Sequence, residues 1–154
     1  MIYRAPFYAV SKAVYGAFSS VAGGLQWFDN SVPIDEIEAL FKGQANFSYG
    51  VFGVASADCQ SNKDLAVWDC SLNLDIYSNY KGRKAITKEL DNVMNYISSD
   101  TGWNALQTLF LAENYQLVSI NVGALAINPP LYSEVGVWQS GTTTLNFRIT
   151  QKEV

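Results

Sequence analysis

Two groups of carboxylates are the residues best placed to do acid–base chemistry. Asp35, Glu36 and Glu38 crowd one short stretch, while Asp69, Ser71 and Asp75 recur at alternate positions of another. Two carboxyl groups can share the work of acid and base when their surroundings push their pKa values apart. The chain contains no histidine. It therefore lacks the commonest general base and metal ligand, and a Ser-His-Asp or Cys-His site is impossible. Each carboxylate group also has a plainer reading. Asp35 and Glu36 follow Pro33 and suit the first turn of a helix, where the dipole favours negative charge. Asp69, Ser71 and Asp75 suit the wet face of a strand.

The remaining reactive residues add little. Cys59 and Cys70 are too few to hold a metal without other soft ligands. Cys70 is expected to be a buried small hydrophobe, and nothing marks the oxidising compartment that a Cys59–Cys70 disulfide would need. No glycine pattern fits a phosphate loop. Asn46-Phe47-Ser48 matches a glycosylation triplet without any secretory signal. Arg83-Lys84 is the one adjacent basic pair. At the start of a helix it sits against the dipole and reads as two solvated side chains, or as a contact to a partner's carboxylates. The expectation is a protein that is not an enzyme, with no catalytic residue, no cofactor and no metal.

Charge and composition bound the partners. With a net charge of −4 and a pI near 4.6, the chain is poorly suited to gripping phosphates, although an acidic surface lets DNA pass without sticking. Hydrophobic residues make up 49% of the sequence and charged residues only 16%, which excludes a disordered chain. The 9 Tyr, 8 Phe and 4 Trp either fill a ring-rich core or lie in subunit interfaces. No apolar run is long enough to span a membrane. Ala13 to Ala22 is too interrupted, by Gly16, Ser19 and Ser20, for a signal h-region.

The elements that must position these residues follow from period. Trp68, Cys70, Leu72, Leu74 and Ile76 alternate with Asp69, Ser71, Asn73 and Asp75, which predicts a long strand over Leu65–Tyr77. A turn from Tyr77 to Gly82 leads into a helix over Arg83–Ser98, with Ile86, Leu90, Val93, Met94 and Ile97 as its stripe and Asp100-Thr101-Gly102 as its close. An earlier helix, Pro6–Ala22, carries Phe7, Val10, Val14, Ala17, Phe18 and Val21 on one side and Ser11, Lys12, Ser19 and Ser20 on the other, with Gly23-Gly24 as its stop. Leu25–Phe28 reads as a short strand. Ile34–Phe41 is a helix or an irregular loop over the sheet. Phe47–Ala55 reads as a strand weakened by Gly50 and Gly53, and Ser56–Asp64 as a loop.

Further along, Leu106–Leu111 is ambiguous between helix and strand. Leu117–Val122 reads as a strand with Val118, Ile120 and Val122 on one side, extending to Ile127 before Asn128-Pro129-Pro130 breaks it. In the last strand Thr143, Leu145, Phe147 and Ile149 alternate with Thr144, Asn146, Arg148 and Thr150. Val135 and Trp138 belong to that strand or to one paired with it across a bend at Ser140-Gly141. Strands joined without intervening helices indicate a single α+β domain of two layers, its mainly antiparallel sheet carrying two helices on one face.

Leu72-Asn73-Leu74-Asp75-Ile76-Tyr77-Ser78 ending a strand, followed by Gly82-Arg83-Lys84-Ala85 opening a helix, resembles the tail-terminator or tail-completion proteins of tailed bacteriophages. An N-terminal helix, a short segment ending in Val32-Pro33, the strand Phe47–Ala55 and the last strand Gly141–Thr150 fit the same order. Residues 34–46 and the Pro129-Pro130 loop are longer than in the compact members. The resemblance implies a tail-terminator-like fold over residues 1–154 and a virion structural protein made in the host cytoplasm. It implies a homo-oligomeric ring, six- or twelve-fold, at the head–tail junction. There the ring caps the tail tube or joins it to the connector, and DNA passes through an acidic lumen as cargo. Its partners would be further copies of itself, connector or portal-side proteins and tail-tube proteins, with no membrane. Two other readings compete: a small-ligand-binding domain with a pocket lined by Trp68 or Trp103, and a hydrolase using two carboxylates in a cleft.

Overall fold

Period-2 alternation sets the sheet. In the computed structural model, which describes residues 2–21, 24–60, 64–80, 82–133 and 136–153, six strands form one sheet. They are β1 (Gln26–Asp29), β2 (Ser48–Cys59), β3 (Val67–Ser78), β4 (Tyr115–Ile127), β5 (Leu131–Ser133) and β6 (Gly136–Gln151). Their order is β1-β2-β3-β6-β4, with β5 paired to the start of β6. Only β1 runs parallel to its neighbour; every other pairing is antiparallel.

One face of this sheet is covered. Helices α1 (Phe7–Ser19), α3 (Lys84–Ser98) and α4 (Asp100–Ala112) bury Val10, Val14, Phe18, Ile86, Leu90, Leu106 and Phe110 against Leu72, Leu74, Ile76, Leu145, Phe147 and Ile149. Burial of that much apolar surface is the main force holding the two layers together. Cys70 is in this layer, buried and unpaired. Cys59 is exposed and unpaired, so the two form no disulfide.

The α+β class and the mainly antiparallel sheet agree with the sequence reading, but the described residues form four helices, three of them on one face where the sequence reading had two. Asp100-Thr101-Gly102 opens a helix instead of closing one. The backbone turns extended at Ser99 (ψ 155°), whose hydroxyl accepts from Gly102 N–H at 3.0 Å and caps α4. Only glycine fits at 102, because a Cβ there would lie 2.0 Å from the Tyr96 carbonyl oxygen. Of its two readings, Ile34–Phe41 takes the helical one, and this helix, α2 (Ile34–Leu40), lies across the sheet from the rest. Phe41, at its C-terminal end, stacks on Phe47 at 4.5 Å, and Tyr49 stacks on Tyr77 at 5.3 Å. Trp138 meets the Phe47 ring edge-on, so these rings form a second small core.

Several boundaries differ from the sequence reading for identifiable reasons. Ser56–Cys59 continues β2 instead of looping, because small polar residues pair as readily as apolar ones where one face is wet. A bulge between Leu117 and Ser119 resets the phase of β4. Leu117 and Ile120 therefore both turn inward and Val118 is exposed, while Val122 lies on the same side as Ile120, opposite Leu145, yet is also exposed. Trp138 lies in β6 itself, which runs through Ser140 and Gly141 without a bend. Phe7 is exposed rather than part of the buried stripe. Ala22, Gly23, residues 61–63, Lys81 and Val135, to which the sequence assigned helix end, stop, loop, turn and strand, lie outside the described residues.

Candidate functional site: the bare face of the sheet

Residues opposite one another in adjacent antiparallel strands point to the same side. The register therefore writes out the uncovered face row by row. Asp58, Asp69, Arg148 and Ser119 make one row, and Ser56, Ser71, Asn146 and Asn121 make another. Asn73 faces Thr144 and Asp75 faces Thr142 in the rows that follow. The face ends at Tyr49 and Tyr77, under the aromatic core that α2 closes.

Short-range bonds knit this surface together. Arg148 donates from Nε and Nη2 to the two carboxylate oxygens of Asp69 at 2.7 and 3.0 Å, a forked pair. Thr144 Oγ1 donates to Asn73 Oδ1 at 2.8 Å, and the hydroxyls of Ser56 and Ser71 are hydrogen-bonded. The guanidinium of Arg148 holds the Asp69 carboxyl below its ordinary value, chiefly through the hydrogen bond. Around the first two rows the surface dips into an open hollow of about 460 Å³. On the covered side of the same strand, burial pushes the Cys70 thiol up to about 12, with Asp69 and Asp58 adding to the effect, so the thiol stays protonated at neutral pH.

The two acidic groups singled out in the sequence do not converge. Asp35 and Glu36 stand in the first turn of α2, at the aromatic end of the face. Asp69 is at the other end, eight residues from Tyr77 along β3. Glu38 lies close enough to Tyr49 that its charge, after burial and Tyr77, helps push the phenol up to about 12. No group of three or more acidic or cysteine side chains suited to a metal occurs among the described residues. Arg83 and Lys84 are exposed at the start of α3, with no bonded partner among the described residues.

Nor do the tryptophans expected to line a pocket do so. Trp68 and Trp103 pack against the covered core, and Trp68 Nε1 is buried without a hydrogen-bond partner. Two hollows have aromatic walls instead, one of about 280 Å³ at Phe18, Trp27 and Tyr96 and one of about 730 Å³ at Phe41, Phe47, Tyr80 and Trp138. The first is smaller than the roughly 300–1,000 Å³ of ordinary small-molecule sites, and the second falls within that range.

Sequence reasoning missed the Asp69–Arg148 fork. The signal was present as opposite charges of matching parity in two long strands, but the register that joins them is not legible in one chain. It also missed the tie between the chain ends. Arg4 Nη2 donates to the carbonyls of Asn114 and Lys152, Arg4 N–H donates to Gln151 Oε1, and the Tyr115 hydroxyl donates to the Arg4 carbonyl.

Fold and surface together define an α+β protein with a mostly antiparallel six-stranded sheet, three helices over one face, α2 at one end of the other, and a broad polar stretch of sheet left open beyond it. No protein-family model matches the chain, and no curated protein is detectably similar to it in sequence.

Proposed function

We propose that this protein is a structural component of a tailed-phage virion that assembles with itself into a ring at the head–tail junction, completing the tail tube or joining it to the connector. The observation that carries this reading is the charge of the bare sheet face. Asp58, Asp69 and Asp75 stand there beside Arg148, which Asp69 already neutralises. The other side chains in the rows of Asp58 and Ser56 are hydroxyls and amides, and the Asp75 row adds Thr142, Val51 and Phe28, none of them cationic. Duplex DNA is held by unpaired cations that displace its counterions. A surface without them, acidic and short in reach, repels the backbone weakly and lets it slide. Such a face suits a lumen that DNA crosses. The resemblance of Leu72–Ser78 and Gly82–Ala85 to tail-terminator sequences points the same way.

Native mass spectrometry and electron microscopy of the purified protein, alone and mixed with portal and tail-tube proteins, test the reading. Rings of six or twelve copies, free or seated on a partner, are expected. A chain that remains monomeric in every mixture overturns it. Charge on the bare face is checked separately: Asp75→Lys with Asn146→Lys should make the assembled protein retain duplex DNA at low salt, where the unaltered protein lets it through.

The aromatic hollows at Phe18, Trp27 and Tyr96 and at Phe41, Phe47 and Trp138 favour a second reading, a small-ligand-binding domain. Both are open to solvent rather than enclosed, which places this reading behind the first. A library of planar apolar ligands that raises the melting temperature of the wild type but not of Trp27→Leu would reverse that order.

A further inference from the structure

Two stretches of sheet edge have no partner among the described residues, and they lie on opposite sides of the same sheet. The first is the outer edge of β4. At Leu117 that edge is closed by Gln107, which donates to the Leu117 carbonyl at 3.2 Å and accepts from its N–H at 2.9 Å, standing in for one residue of a further strand. From Ser119 to Ile127 neither strand nor side chain continues the cover. The second is on β2. There β1 pairs with Tyr49–Phe52 and stops, leaving Val54–Cys59 open on that side.

Natural edge strands are guarded by lysine, proline or a cover, because open N–H and C=O groups recruit other strands. Neither stretch contains a Lys, an Arg or a Pro. The β2 stretch has a bulge at its margin, and the β4 stretch has one at its margin and another between Val122 and Leu125, which leaves Ser119–Val122 and Ala55–Cys59 in regular pairing geometry. Val118, Val122 and Leu125 on β4 and Val54 on β2 are exposed beside these edges.

Strand direction decides what fits. Following the antiparallel pairings from β2 through β3 and β6 to β4 makes β4 antiparallel to β2. A second copy displaced sideways, in the same orientation, therefore offers its β2 edge antiparallel to the β4 edge of the first. Charge agrees with this choice. Asp58 lies directly across from Asp69, a like charge, and has no ion-pair partner among the described residues. At the other end of the same row Ser119 adjoins Arg148. Joining the two ends sets the second copy's unpaired Asp58 beside the neutral Ser119 rather than against another acid.

We propose that Ser119–Val122 of β4 pairs antiparallel with Ala55–Cys59 of β2 in a second copy of this chain, making one sheet continuous from subunit to subunit. The inference rests on the ring reading and names the surfaces that build the ring. A contact of this kind uses different patches on the two copies, so it repeats and closes into a ring or runs on as a filament.

The exposed Cys59 is a native probe, and the buried Cys70 stays silent. Val118→Cys, Asn121→Cys and Ala124→Cys, each placed on the β4 edge and mildly oxidised, cover the possible staggers. At least one of them should give a ladder of disulfide-linked species extending past the dimer, because every copy then carries both halves of the link. The ladder should vanish when Cys59→Ser is added. Val122→Lys should abolish the assembled species while leaving the melting temperature of the monomer unchanged. A product that stops at the dimer and survives Cys59→Ser means that β4 pairs with β4, and overturns the proposal. Rings seen by microscopy with no ladder from any variant overturn the proposal and leave the ring reading standing. A ladder belonging to open filaments does the reverse. No ladder and no rings overturns both.

Discussion

The two faces of β3 are made by neighbouring residues of one strand, yet they obey different rules. Cys70, Leu72, Leu74 and Ile76 are almost fully buried beneath three helices. Asp69, Ser71, Asn73 and Asp75, interleaved with them, remain partly open on a face that no helix covers at that end. On the covered side every residue is constrained by volume, and close packing leaves it little latitude. On the bare side the constraints are local pairs and charge, and the surface is free to serve a partner. The covered face therefore carries the stability, and the bare face and its edges carry the proposed assembly.

Truncation on each face breaks or sharpens that division. Phe110 is fully buried, its ring 5.9 Å from that of Phe147. Phe110→Ala is expected to cost about 3–5 kcal/mol by urea unfolding, through lost transfer energy and the cavity left behind. Asn146→Ala, one strand position away on the bare face, should stay within about 0.5 kcal/mol. Comparable losses at both positions would show that the polar face also holds the fold together.

Much of the covered face was legible in the sequence. The stripe Ile86, Leu90, Val93 and Ile97 and the alternation of Leu72, Leu74 and Ile76 state which side is buried, because period alone determines it. Residues whose placement depends on tertiary partners were not legible. Gly102 looks like a helix stop until the Tyr96 carbonyl is seen pressed against it. Gly50 weakens a strand on paper, but its missing Cβ makes room for the Trp27 indole, which a side chain there would meet at 2.3 Å. The composition of the bare face could be read from parity, whereas the Asp69–Arg148 fork needed the register between strands far apart in sequence. The open edges are a property of strand order, which a single chain does not print.

A smaller effect comes from a polar group on the wrong side of the division. Thr143 sits on the covered face of β6, 1% exposed, and its hydroxyl has no hydrogen-bond partner. A buried unpaired hydroxyl keeps its desolvation cost and gains nothing in return. Thr143→Val keeps the shape and removes that cost, so it should raise stability by about 1 kcal/mol. A loss of stability on this substitution would mean that the hydroxyl is satisfied in solution, and the covered face would then not be uniformly apolar in its demands.

The smallest expected effect tests the bare face through its one ion pair. Arg148 lowers the pKa of Asp69 below its ordinary 3.8, and slight burial opposes that shift. A carboxyl whose folded pKa is depressed contributes stability that is present above its ordinary value and lost as pH falls through the lower, folded one. The melting temperatures of wild type and Asp69→Asn should therefore differ most near neutral pH and converge as the solution is acidified below about pH 4. Both partners are largely solvent-exposed, so the difference should not exceed about a degree or two, and molar salt should shrink it. Asp58 complicates the measurement, because it faces Asp69 from β2 with the same charge. Repeating the comparison in an Asp58→Asn background separates the two. If the convergence persists there, the attraction to Arg148 sets the acid limb. If it disappears, the repulsion between the two carboxylates of Asp58 and Asp69 dominates the row.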